Sequence, residues 1–136
     1  MRAISMRPHD ATAAAEEMSR IVTTDWCDSN MPPSVLELVA IHAAERFPAD
    51  DAEVAMARQE KNPPDFAGSI IAVGKAGHWR RVRYVPHEQF LFRLDSVRKL
   101  KSPISIKGAL GFWPVDLETE QRIWDDLGEP MPRVRG

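Results

Sequence analysis

The chain of 136 residues contains a single cysteine, Cys27. One thiol cannot close an intrachain disulfide or build a cysteine zinc cluster, and a chain without such staples fits a reducing compartment. Long apolar runs are also missing, and none approaches the roughly 20 residues that a membrane helix needs. The opening stretch, Met1-Arg-Ala-Ile-Ser-Met-Arg-Pro8, lacks the apolar core of a secretory leader. The four histidines, His9, His42, His78 and His87, show no metal-ligand spacing. These absences predict a cytoplasmic protein with no membrane contact, no metal and no cofactor.

What is present is ordinary in bulk and uneven in distribution. The hydrophobic fraction is 43% and the charged fraction 28%, as in a soluble globular domain. A chain of this length buries roughly two-thirds of its unfolded surface. One domain is therefore expected over residues 1–128, with a frayed tail at 129–136. The net charge of −2 conceals segregation. Residues 75–107 hold nine Lys/Arg against two Asp/Glu, whereas residues 1–74 hold six against twelve. A middle third this basic is either a phosphate-facing surface or a set of strands paired with acidic helices.

Periodicity predicts an α+β order. Arg2–Met6 alternates and reads as a strand that Pro8 ends. Asp10 precedes an Ala-rich run and predicts a helix over about 10–21, followed by a loop from Asp25 to Ser34. Val35–Ala43 reads as a second strand. Asp50-Asp-Ala-Glu53 opens an acidic helix to about Lys61. Ser69–Val73, His78–Val85 and Phe90–Leu94 read as short strands. Pro103–Trp113 follows as one bent strand in which Gly108 and Gly111 mark a bulge or close approach. Asp116 caps a final helix over 117–127, which Gly128 stops.

Several side chains are candidates for chemistry. His42 lies opposite in phase to Ile41. It is either a pocket-wall hydrogen-bonding group or a packed, satisfied histidine. Trp26 is either a base-stacking wall or a plug for the first helix. Lys75, Arg80, Arg81 and Arg83, interleaved with Trp79, fit phosphate contact or a charged hairpin edge. Lys107 is a cation beside glycines.

Two separated stretches resemble the ASCH domain family of the PUA-like superfamily. The first is Arg2-Ala-Ile-Ser-Met-Arg-Pro8, then a helix, Trp26 and Ile41-His-Ala43. The second is Gly68-Ser-Ile-Ile-Ala-Val73, Phe92-Arg-Leu94 and Pro103-Ile-x-x-Lys-Gly-Ala-Leu-Gly-Phe-Trp113. The resemblance spans roughly residues 1–115. It implies a small mixed β-barrel of about five to six strands flanked by two to three helices. It also implies binding of RNA or modified nucleobases, with some members acting as nucleoside amidohydrolases or ribonucleases. Under it, Arg7, Trp26, His42 and Lys107 fall at or near the pocket, and Arg80, Arg81 and Arg83 at phosphate.

The chain departs from the family's Gly-x-Lys-x-x-Glu-x-Arg signature, where it has Glu17, Ser19, Val22 and Thr24. Valine does no acid–base work, and a serine is a nucleophile only beside a base. Ser19 and His42 are weak catalytic candidates. The leading expectation is a non-catalytic domain that binds RNA-type nucleic acid or a nucleobase-type ligand. The rivals are a hydrolase of a modified nucleoside or RNA using other pocket residues, and a protein-interaction module on the same scaffold.

Overall fold

The computed structural model describes residues 1–18, 20–25, 31–44, 66–83, 88–109 and 111–130. For Asp25, Arg83 and Glu88 only the strand position is described. The expected helix over 50–61, and with it Cys27, Trp26 and Ser19, lies outside these residues.

The described elements run β1 (Arg2–Met6), α1 (Pro8–Ala15), β2 (Ile21–Asp25), β3 (Leu38–Ala43), β4 (Ser69–Arg83), β5 (Glu88–Ser105), β6 (Phe112–Pro114) and α2 (Leu117–Leu127). The strands form one mixed sheet in the order β2-β5-β4-β3-β1-β6. β1 and β3 are parallel, and every other pairing is antiparallel.

The sheet curls into a half-barrel. β5 and β6 are four places apart in hydrogen-bond order, which is about 19 Å in a flat sheet. Yet the rings of Phe92 and Phe112 are 5.7 Å apart, and Phe90 stacks on Phe112 at 6.3 Å. These rings fill the concave interior with Ile4, Val39, Ile41 and Leu94. Burying each phenylalanine contributes about 1.5–3 kcal/mol. The small residues Ala11, Ala14 and Ala15 let α1 seat against this interior.

The alternate residues of the same strands face outward. Ala3, Ala40, Ile70, Val73 and Trp113 form a second cluster, covered by Ile123 of α2. Phe112 and Trp113 are adjacent, so they point to opposite faces, and each is buried in a different cluster. Asp116 Oδ1 accepts the Thr119 amide at 2.9 Å, and Gly128 closes the helix at φ 71°.

Three expectations about elements are corrected. The first helix ends at Ala15 rather than near residue 21, because the chain turns at Glu17. Glu17 N donates to Ala14 O, and Met18 N to Ala13 O, in the pattern of a Schellman stop. Its left-handed residue is usually glycine, and here it is Glu17 at φ 55°. The freed, β-branched Ile21-Val-Thr-Thr24 pairs with β5 as a strand.

The short strands predicted over 69–85 are one strand, β4, and Phe90–Leu94 lies within β5. Gly74 and Gly77 do not break the ribbon. A side chain at Gly74 would come within 3.1 Å of Val97 Cγ2, so it is a point of close approach. The Pro103–Trp113 run is not one strand. Its first three residues end β5, the chain leaves the sheet, and it returns only as β6.

The β4–β5 pairing is irregular in one place above all. Ile70 pairs with Ile104 and Ala72 with Lys99, so five steps on β5 oppose two on β4. The bulge takes the amides of Lys101 and Ser102 out of the ladder. Asp126 of α2 accepts both, at 2.7 and 3.0 Å.

Candidate ligand cavity

The cations of the basic middle third separate into two groups. Arg98 pairs with Glu129, Lys99 with Glu16, and Arg93 with Asp95. Here the basic strand is neutralised by Glu16 just beyond α1, by Glu129 just beyond α2 and by Asp95 of β5 itself. Glu129 is the first residue of the expected tail, of which 131–136 lie outside the described residues. In contrast, Lys75, Arg80 and Lys107 are exposed and form no ion pair among the described residues.

The predicted site residues do not converge on one cleft. Ser69 pairs with Ser105 at the inner end of the β4–β5 ribbon, and Lys107 lies just beyond it. Arg80 is eleven residues further along β4, on the order of 30 Å away. Arg80 and Arg81 are adjacent in the strand, so they face opposite sides. Arg81 is opposite Phe90 and Trp79 opposite Phe92. Trp79 is 42% exposed and meets the edge of Phe90 at 6.5 Å. Lys75 is opposite Asp95, and Arg83 ends the strand opposite Glu88.

His42 and Lys107 do share a cavity. It has a volume of about 570 Å³, and its wall runs from Ser5 and His42 to Ala67, Gly68 and residues 105–109. Arg7 lines a different cavity of about 290 Å³, with Asp10, Val22, Thr23 and Thr24 between β1, α1 and β2. Ser5 lines both cavities. Ile4 and Met6 line the second from the barrel side, and His42 lies with the outward-facing residues.

His42 is 3% exposed, and both ring nitrogens are engaged. Nδ1 is 3.1 Å from Ser5 Oγ, and Nε2 is 2.9 Å from the Ile106 carbonyl. Trp113 Nε1 donates to Ser5 Oγ at 2.9 Å. The ends of this chain set its direction. An indole N–H only donates and a carbonyl only accepts. His42 Nε2 therefore carries the hydrogen, and neutral Nδ1 accepts the Ser5 hydroxyl. Burial pushes His42 below its usual value, against backbone hydrogen bonds to Ile106 and Gly68 that raise it. The Trp113 ring meets the imidazole edge-on at 5.4 Å.

Gly108 completes this wall. A β-carbon there would stand 2.6 Å from His42 Cε1, 2.8 Å from His42 Nδ1 and 3.0 Å from Ser5 Oγ. Only glycine fits, because its backbone packs directly over the Ser5–His42 contact. Lys107, Gly108 and Ala109 make no hydrogen bond among the described residues. Their backbone groups line the cavity.

The phase of His42 was readable from Val39–Ala43. Its partners were not, since Ser5 and Trp113 lie 37 and 71 residues away in sequence. The only hint was Gly108, which reads as a bend and is in fact a point of close approach. At the signature positions, Val22 is buried in the interior cluster and Thr24 lines the smaller cavity. Among the described residues, no three His, Cys, Asp or Glu side chains gather to hold a metal, and no helix is long and apolar enough to cross a membrane.

No protein-family model matches the chain, and no curated protein matches it. Solved structures of an ASCH protein from Zymomonas mobilis are similar. The unmutated protein superposes with a TM-score of 0.62 at 11% identity, covering 91% of this chain and 93% of that one. Two point mutants of the same protein superpose at 0.64, also at 11% identity and over 91% of this chain, covering 96% and 94% of theirs. At that identity the likeness concerns the backbone, and over nearly the whole of both chains the fold is ASCH-type.

Proposed function

We propose that the chain is a non-catalytic domain that binds RNA-type nucleic acid through a base held in the cavity beside His42. The observation that carries this reading is the cavity wall at residues 107–109. It offers a cation and three successive backbone units with no hydrogen bonds of their own among the described residues. A planar base has matching donors and acceptors along its edge, and a phosphate matches Lys107. The volume of about 570 Å³ falls in the usual range of small-ligand sites. Lys75 and Arg80 are further exposed cations along β4, which only a longer strand would reach from the cavity.

Absence of catalysis is supported by the side chains at the signature positions. Val22 and Thr24 supply neither acid nor base at pH 7. His42 Nδ1 and Nε2 are both committed within the protein.

Fluorescence anisotropy with a labelled single-stranded RNA, at about 50 and 200 mM salt, tests the reading. Binding that weakens with salt is expected, with a shallower salt slope for Lys107→Gln. Failure to bind at the lower salt rejects it. Appearance of cleaved RNA, or of product from an acylated cytidine, favours the hydrolase instead.

A further inference from the structure

The hydrogen-bond arithmetic at Ser5 goes one step further. A serine hydroxyl has one hydrogen and two lone pairs. One lone pair receives the Trp113 indole hydrogen, and the hydroxyl hydrogen is given to His42 Nδ1. What remains is one lone pair. Ser5 lies on the wall of the larger cavity, beside the backbone of Gly108, which packs over its contact with His42.

We infer that Ser5 is a specificity-determining residue, which accepts a hydrogen bond from an N–H group of the ligand and selects bases bearing an exocyclic amine. The inference rests on the base-binding reading above. His42 is the positioning residue. With Nε2–H held by the Ile106 carbonyl, Nδ1 takes the serine hydrogen and leaves Ser5 an acceptor only. A ligand carbonyl at the same point would face a lone pair, with no hydrogen between them. Trp113 completes the assignment, because its hydrogen occupies the other lone pair.

The experiment compares two pairs of nucleosides that differ only by the exocyclic amino group: adenosine against purine riboside, and cytidine against 2-pyrimidinone riboside. Affinities are measured by calorimetry at neutral pH. Removal of the amine is expected to weaken binding roughly ten-fold in at least one pair. In Ser5→Ala the difference should shrink to about two-fold or less, with the affinity of the deaminated riboside unchanged. A general loss of structure would weaken both members of a pair alike. The wild-type comparison decides the matter even if the variant folds poorly. Equal affinities within both wild-type pairs overturn the inference, as does an amine preference that persists in Ser5→Ala. RNA binding without binding of any nucleoside overturns it while leaving the RNA reading standing. Absence of RNA binding removes both.

Discussion

Glu17 Oε1 accepts the backbone N–H of Val97 at 3.2 Å, from a backbone with φ of 55°. The residue that ends α1 in a left-handed conformation also ties that helix to β5. A left-handed residue at this point of a helix end is usually glycine. Strain and hydrogen bond act in opposite directions here. Glu17→Ala keeps the strain and loses the bond, whereas Glu17→Gly loses both. The glycine variant is therefore expected to be the more stable of the two by about 1 kcal/mol. Urea denaturation of both measures this, and an alanine variant at least as stable as the glycine one would refute it.

Gly108→Ala places a methyl group against the His42 ring, which is backed by β1 and β6. Overpacking of this kind costs about 1–3 kcal/mol. The expected result is a clear fall in melting temperature. A variant that melts with the wild type would mean that residues 106–109 are not held as described.

Asp126 serves two amides that the β5 bulge has withdrawn from the ladder. Asp126→Ala leaves both without protein acceptors and is expected to cost about 1–2 kcal/mol. Hydrogen exchange gives the local signature. The amides of Lys101 and Ser102 should lose protection first, while those near Phe92 keep it. Uniform loss across β5 would contradict a local role.

His42 gives stability a pH dependence whose sign follows from its environment. Burial holds the imidazole neutral in the fold, while the unfolded chain protonates with the ordinary value of 6.5. Below that pH the unfolded state binds more protons than the folded one, so stability falls. The contribution is whole above 6.5 and is lost as pH drops from there toward the lowered value. Urea midpoints between about pH 7.5 and 5.5 should decline. His42→Gln should flatten that decline, and an unchanged slope in the variant would assign it to another group.

Much of this architecture is legible in sequence, for local reasons. Asp116 and Gly128 bracket α2 because capping chemistry is confined to a few neighbouring residues. Arg2–Met6 marks β1 in the same way, whereas α1 starts at Pro8 with Arg7 as its N-cap and the expected cap, Asp10, lies inside its first turn. β2 was hidden because Glu17 occupies a glycine position, so the helix carries no visible stop. β4 and β5 read as fragments because glycine and proline usually interrupt strands. Here Gly74 and Gly77 answer to close packing, and Pro103 ends a bulge.

The site was less legible still. His42, Ser5, Gly108 and Trp113 come from four separate stretches, and no spacing rule links them. The charge of residues 75–107 was plain, but which cations stay unpaired depended on where Glu16, Asp95 and Glu129 fall in the fold.

The bulge at Leu100–Pro103 has a consequence for how the domain tolerates change. Four residues of β5, Leu100–Pro103, face one of β4, Ile71, there, so the ladders on either side keep independent registers. A residue added or removed between Leu100 and Pro103 changes the size of the slack and need not slide one strand past the other. The inner end, with the cavity, and the outer end, with Trp79, are joined as if by an expansion joint. Within the regular ladder of Glu88–Phe92 there is no such reserve, and an alteration of length there would turn the side chains beyond it to the wrong face.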